Sequence, residues 1–193
     1  MDQANILDTP NVYPSLLSKS DEIGFTMPSD LYIGSLLKTL VASKPSGSFL
    51  ELGTGMGLSL AWILEGMDTA SKLVSIDNDM DLINIAKGFF RDDSRLQLIC
   101  ADGEDWIAQN QDERFDLVFA DAWPGKYSYL EETLELIKVG GFYIIDDMEE
   151  QPNWPEGHSE QVSSLVNKLE TRQDYTITKM DWSTGVIVAV KTK

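Results

Sequence analysis

Seven consecutive residues, Glu51-Leu52-Gly53-Thr54-Gly55-Met56-Gly57, carry the strongest chemical signal in the chain. An apolar, strand-like run from Ser48 to Leu52 leads into them, and a helix-like run from Leu58 to Gly66 follows. A strand, a glycine-rich turn and a helix in immediate succession make a nucleotide site, because the turn brings backbone N–H groups close to a ligand. The missing side chains permit that approach. The spacing is Gly-x-Gly-x-Gly, and Leu58 stands where a dinucleotide fingerprint needs its last glycine. A dinucleotide is therefore disfavoured. The alternative is a tight glycine turn with no ligand.

Carboxylates follow at intervals that suit the same reading. Val74-Ser75-Ile76-Asp77-Asn78 ends a second strand with an acid, and an acid there can accept both hydroxyls of a ribose. Asp77 also suits a plain strand-end turn. Ala101-Asp102-Gly103-Glu104 follows a third strand, where Asp102 could equally cap a short helix. Asp121 lies where a fourth strand emerges, and Asp146-Asp147 end a fifth. In a doubly wound sheet, ligands bind at this carboxyl edge. Close carboxylates repel unless a cation or a proton compensates. Three of them, with retained waters, could hold Mg²⁺.

The acidic-x-Gly-x-Gly-x-Gly spacing resembles the first motif of class I S-adenosylmethionine-dependent methyltransferases. Over roughly residues 25 to 150, the set Asp121-Ala122-Trp123 and Asp146-Asp147 resembles the catechol and caffeoyl-coenzyme A O-methyltransferase family. The resemblance implies that Gly53, Gly55 and Gly57 contact S-adenosyl-L-methionine, with Thr54 beside them. Glu51 would brace the loop or reach the cofactor's amino group through water. Asp77 and Asn78 would lie at the ribose, and Asp102 and Gly103 at the adenine. Asp121, Asp146 and Asp147 would bind a divalent cation such as Mg²⁺, and Asp121 and Lys126 would serve catalysis. Residues Gly24 to Asp30 would close over the methionine end.

The chain departs from that family in three ways. Asp147 replaces the usual Asn. Pro124 and Gly125 intervene between Trp123 and Lys126, where the catechol-type pattern has lysine directly after tryptophan. The chain is also short at its N-terminus, so helices that shape the family's substrate pocket are not expected. Lys126 could take a proton if burial depressed its pKa; the alternative is a solvated lysine at a helix start. His158, the only histidine, is either a base or a solvent-facing loop residue. Trp123, Trp154 and Trp182 fall in or near loops, where an aromatic wall suits a flat acceptor. The stretch Gln151 to His158 is too proline-rich for a helix and reads as a lid or substrate loop.

These residues need a scaffold, and the pattern supplies one. Strand-like and helix-like segments alternate, which predicts an α/β fold: a doubly wound, Rossmann-like, seven-stranded and mostly parallel sheet with helices on both faces. Expected helices cover about 29–42 with Ser29 as N-cap, 58–66, 82–89, 104–109, 127–137 and 162–169; expected strands cover 48–52, 72–77, 95–100, 115–120 and 141–146. Tyr175 to Lys179 and Val186 to Lys191 lack an intervening helix and should pair as an antiparallel hairpin. Residues 1–28, broken by Pro10, Pro14 and Pro28, read as an N-terminal arm, and residues 29–193 as one domain.

Composition bounds the function. With 193 residues and 42% hydrophobic content a substantial core is expected. A net charge of −17 repels phosphate backbones and anionic lipid, so neither nucleic acid nor membrane is an expected partner. The single cysteine, Cys100, allows no intrachain disulfide. No secretory leader or membrane-length apolar run is visible, so a cytoplasmic location is expected. The resemblance implies a small-molecule acceptor and a homodimer. The alternatives are metal-independent methylation of an amine or carboxyl group, a nicotinamide oxidoreductase, and a cofactor-binding module without catalysis.

Overall fold

The computed structural model describes residues 2–6, 8–151 and 154–193. Seven strands in the order β3-β2-β1-β4-β5-β7-β6 form the sheet expected from the alternating pattern. The chain divides into two compact units, residues 1–102 and 103–193.

The first unit holds α1 (Tyr13–Ile23), α2 (Leu31–Ala42), β1 (Ser48–Leu52), α3 (Leu58–Gly66), β2 (Lys72–Asp77), α4 (Met80–Phe90) and β3 (Leu96–Cys100). Its strands pair in parallel, with Leu52 opposite Ile76 and Asp77 opposite Cys100. Every residue from Leu58 to Leu64 is buried. A helix apolar on all sides belongs inside a core. Its Trp62 packs edge-to-face on Tyr13, with ring centres 5.6 Å apart.

Two expectations change here. The arm contains a regular helix, α1, whose Tyr13, Leu16 and Ser20 are buried. Pro14 lies in its first turn, where the missing N–H breaks no helical bond. A serine within the buried stripe hides the pattern. The N-cap of α2 is Asp30, not Ser29: its carboxylate accepts from the amides of Tyr32 at 2.8 Å and Ile33 at 3.0 Å. A carboxylate there also complements the positive end of the helix dipole.

The second unit holds α5 (Gly103–Gln109), β4 (Phe115–Ala120), α6 (Leu130–Glu135), β5 (Ile137–Ile145), α7 (His158–Glu170), β6 (Tyr175–Met180) and β7 (Val186–Lys191). Strands β4 and β5 pair in parallel, and β7 pairs antiparallel with both β5 and β6. The helix expected over 127–137 is shorter, and β5 starts at Ile137. Its register against β4 shifts between Phe115 and Leu117. Gly140, at φ 81°, supplies the left-handed residue that this irregularity needs. Val162, Leu165 and Leu169 form the buried stripe of α7, as their spacing predicts.

Close packing fixes one glycine in α2. A Cβ on Gly34 would stand 2.4 Å from the Trp62 indole, whereas one on Gly88 in α4 would meet nothing within 4 Å. Gly34→Ala is therefore expected to lower stability by about 1–3 kcal/mol, although alanine is the better helix former. Gly88→Ala should raise it by about 0.5–1 kcal/mol. Urea unfolding of both variants checks the contrast; equal shifts would refute it.

Candidate active site

In the first unit the glycine loop is built around a buried acid. Glu51 is 0% exposed. Ser59 of α3 donates to one of its oxygens at 2.7 Å, and Ser75 of β2 donates to the other. The Ser75 and Thr54 hydroxyls meet at 2.6 Å, which extends the network into the loop. Burial pushes the Glu51 carboxyl up to about 7; the two serine bonds oppose this and the charge of Asp77 adds to it. Of its two anticipated roles, the brace is the one this geometry provides. Thr54 is likewise buried, with its hydroxyl turned to Ser75.

Gly53, Gly55 and Gly57 all have positive φ: 101°, 50° and 93°. The amides of Gly53 and Thr54 donate to the Ile76 carbonyl, at 2.9 and 3.1 Å, and that of Gly57 to the Thr54 carbonyl at 2.9 Å. The Gly55 amide donates to Asp77 Oδ2 at 2.8 Å. Four loop amides are thus satisfied within the protein, rather than turned to a ligand as the motif alone suggested. What the loop presents is side-chain-free surface. A Cβ on Gly57 would press into Phe90, at 2.8 Å. The Phe25 ring covers Gly55, 3.3 Å from where a Cβ would stand. Phe25 lies in the Gly24–Asp30 segment expected to close over this end.

Asp77 also accepts the Asp79 amide at 2.9 Å, so each of its oxygens holds one backbone N–H and keeps a lone pair for a further donor. Asn78 is exposed, and its carbonyl accepts from the Cys100 thiol at 3.7 Å. Asp102 is exposed after β3. In the second unit, Gly103 opens α5, and a Cβ there would meet Pro124 at 2.8 Å, so packing alone accounts for this glycine.

Asp121, half-buried, follows β4 in the second unit. A tight turn comes next. The Trp123 carbonyl accepts from the amides of Lys126, Tyr127 and Ser128, at 3.3, 3.0 and 3.4 Å. Gly125, at φ 82°, donates to the Ser128 carbonyl at 2.8 Å. The buried Tyr143 of β5 donates its hydroxyl to the Gly125 carbonyl. This turn folds Lys126 inward. The lysine is 4% exposed and precedes α6 by several residues, so it is not a solvated residue at a helix start. Its Nζ lies 5.4 Å from the centre of the Tyr127 ring.

Asp146 is 4% exposed. Its Oδ1 accepts from the Thr184 hydroxyl at 2.6 Å and from the Asp147 amide at 2.9 Å. Burial, followed by the charge of Asp147, pushes its carboxyl up to about 6, against those two bonds and the positive charge of Lys126. Asp147 has φ 56°. Among the described residues, no group of three or more His, Cys, Asp or Glu side chains is placed to hold a metal ion. Asp121, Asp146 and Asp147 are therefore not gathered into the expected triplet. Asp146 is turned into the protein by Thr184, and Asp147 takes a left-handed backbone.

An aromatic cluster lies in the same unit. The Tyr127 hydroxyl and His158 Nε2 share a hydrogen bond at 3.1 Å. Trp123 and Tyr127 meet with ring centres 4.8 Å apart, and Trp154 and His158 at 4.4 Å. His158 opens α7 and is half-buried; its Nδ1 is buried without a partner among the described residues. Burial and then Lys126 hold its pKa below the ordinary value, against the pull of Asp147. Burial, then Asp147 and Asp121, push the Tyr127 hydroxyl up. Both are neutral near pH 7. Pro152 and Asn153 of the anticipated lid loop lie outside the described residues. A shallow groove along the exposed serine face of α7, from Ser159 to Thr171, holds no buried polar group and takes no part in this chemistry.

The sequence reading missed Ser59, Ser75, Tyr143 and Thr184. Ser75 had a signal: it is the polar residue in an apolar strand, one turn of pleat before Asp77. Tyr143 had none, because its hydroxyl partner is a carbonyl.

A model of the O-methyltransferase family matches residues 21–175. The chain belongs to that family. A protein named "Putative O-methyltransferase" from Mycobacterium leprae is 32% identical over 139 residues, covering 69% of this chain and 62% of that protein. One of the same name from Mycobacterium avium is 32% identical over 118 residues, covering 58% of this chain and 53% of that one. The chain thus spans less than two thirds of these relatives' length. Among solved structures, the family fold recurs in the Bacillus cereus O-methyltransferase in complex with SAH. It superposes with a TM-score of 0.86 at 18% identity, over 98% of this chain and 94% of that one. The O-methyltransferase TomG of Streptomyces achromogenes, in complex with SAM, gives 0.85 at 20% identity, over 99% and 94%.

Glu51 yields a test by pH. Its folded value lies above the ordinary 4.5, at about 7. A raised acid favours the fold at low pH, and that contribution is lost as pH rises from about 4.5 to 7. Stability of the wild type should fall across this window relative to Glu51→Gln, by up to about 3 kcal/mol. Asp146 titrates in the same direction in both proteins and cancels. Parallel urea curves at each pH would contradict a buried, titrating Glu51.

Proposed function

We propose that the chain is an S-adenosylmethionine-dependent O-methyltransferase that methylates a hydroxyl of a small aromatic molecule. The observation that carries this reading is the glycine loop, braced from within by Glu51 and closed at its end by Asp77 on the Gly55 amide. Family membership agrees with it, as do the SAH and SAM named for the structural neighbours. When bound, S-adenosylmethionine supplies a methyl group activated on a sulfonium.

The chain's residues would divide the work. Gly53, Gly55 and Gly57 offer close approach to the aminocarboxypropyl arm, with Phe25 over Gly55 as a cover. The remaining lone pairs of Asp77 would accept the ribose hydroxyls. Asn78, Asp102 and Gly103 would border the nucleoside. In the second unit, Trp123, Tyr127, Trp154 and His158 would present aromatic surface to a flat acceptor. The acidic balance argues against nucleic acid as substrate. Among the described residues no helix is long and apolar enough to cross a membrane; a cytoplasmic location and a homodimeric assembly are part of the proposal.

Calorimetry with S-adenosylhomocysteine tests the reading directly. One molecule should bind per chain, and Asp77→Ala should weaken it at least about tenfold, or 1.4 kcal/mol. Binding of NAD in its place would overturn the proposal. A coupled assay for S-adenosylhomocysteine release across phenols, catechols and amines then ranks acceptors; turnover confined to amines would remove the O-methyl assignment.

A further inference from the structure

We propose that Tyr127 holds His158 in the tautomer whose proton sits on Nδ1, and that this N–H donates to a carbonyl oxygen of the acceptor, apart from the hydroxyl that is methylated. The assignment rests on the methyltransfer reading above and deepens it: the acceptor must carry a second polar group.

The two ring nitrogens of His158 stand in different circumstances. Nε2 and the Tyr127 hydroxyl share a hydrogen bond at 3.1 Å. Nδ1 is shut off from water and has no hydrogen-bond partner among the described residues. A neutral imidazole carries one proton, so one nitrogen donates and the other accepts. The bond to Tyr127 decides which. A phenol has one proton to give, and an imidazole lone pair is a stronger acceptor than a phenol oxygen. The hydroxyl therefore donates to Nε2, and the ring proton is left on Nδ1. The ring is neutral near pH 7, because burial and then Lys126 outweigh Asp147, the charged groups that act on it. Burial, then Asp147 and Asp121, likewise keep the proton on Tyr127. A buried donor without an acceptor is costly, and a ligand oxygen placed against it removes that cost.

The surroundings select the kind of oxygen. Three aromatic rings lie about the imidazole, those of Trp154, Tyr127 and Trp123, with centres at 4.4, 5.2 and 6.0 Å. Trp123 is 48% exposed, so the cluster has a face open to solvent. Flat walls around a single donor suit a conjugated ligand with one accepting oxygen. A carboxylate would lose its hydration among these rings and would face Asp121 and Asp147, whose charges already act on Tyr127. A hydroxyl oxygen can accept, but it brings a proton that needs an acceptor of its own. A carbonyl answers the donor and leaves nothing further to satisfy. An analogue without that oxygen leaves the buried donor unpaired, which is how sites that hydrogen-bond their substrate reject it most strongly.

His158 is the only histidine, so the whole chain without a tag gives a single set of imidazole signals. A long-range ¹H–¹⁵N spectrum at pH 7 tells a protonated ring nitrogen from a bare one. Nδ1 should be protonated and Nε2 bare. Tyr127→Phe, which keeps the aromatic ring, should return the imidazole to the Nε2–H form that prevails in water. With S-adenosylhomocysteine present, 4-hydroxyacetophenone should shift the Nδ1 resonance. It should also bind at least about tenfold more tightly than 4-isopropylphenol, which has a similar shape without the carbonyl. In the variant that preference should disappear. A proton on Nε2 or on both nitrogens of the wild type, equal affinity for the two phenols, or no Nδ1 shift with the ketone would each overturn the proposal. These arms use wild-type protein, so they decide the matter even if the variant folds poorly. Failure of the wild type to bind S-adenosylhomocysteine would instead strike the methyltransfer reading, and the tautomer and ketone arms, run without it, would still decide the donor.

Discussion

A carboxyl group sealed from water organises the first half of the molecule. Glu51 receives a hydroxyl from the helix after the loop and another from the neighbouring strand, and Ser75 passes the contact on to Thr54. Removing a charged group from water is costly unless it is bonded or neutralised. The upward shift of Glu51 shows both remedies at work. The loop amides then go to Ile76 and Asp77, so the loop holds its shape before any ligand arrives. Such preorganisation lowers the ordering cost of binding. Specificity must then come from shape and from Asp77 rather than from a row of donors.

The second unit follows a comparable logic with a different element. A single carbonyl, that of Trp123, gathers three amides, and Tyr143 holds the turn from beneath through Gly125. The backbone here departs from ordinary geometry at Gly125, Tyr129 and Asp147, all with positive φ. Left-handed residues other than glycine persist only where their surroundings hold them in place. They flank Lys126 and Asp146 in the chain, two of the buried ionisable side chains of this unit. Strain and buried charge at one place are the usual marks of a working site.

Much of this was readable from residue order. The glycine spacing, the acid after β2 and the alternation of elements led to the sheet and to the family. The remainder depended on contacts that spacing does not encode. The α1 stripe was hidden because a serine takes one of its buried positions and a proline opens it. The start of β5 was misread as helix because Leu134 and Ile137 fit a helical period, while the glycines at 140 and 141 that accompany the register shift act only against β4. Sequence places the acidic triplet at strand ends without showing which way each carboxylate turns. Thr184, 38 residues from Asp146, decides that direction. Lys126 was equally ambiguous, since only the folded turn reveals that it points inward.

The turn between β6 and β7 has a consequence for anyone remodelling this protein. Hairpin tips are ordinarily the safest places to graft a peptide, open a permuted terminus or vary a library. This one bonds Asp146 through Thr184, and its Gly185 carbonyl accepts the Met148 amide while the Thr184 carbonyl accepts that of Glu149. A side chain at Gly185 would run into Glu149 at 2.5 Å. The tip is thus a clasp on the segment that leaves β5. Variation introduced there would be read out at a buried carboxylate, and the free surface for engineering lies instead along the outer face of α7.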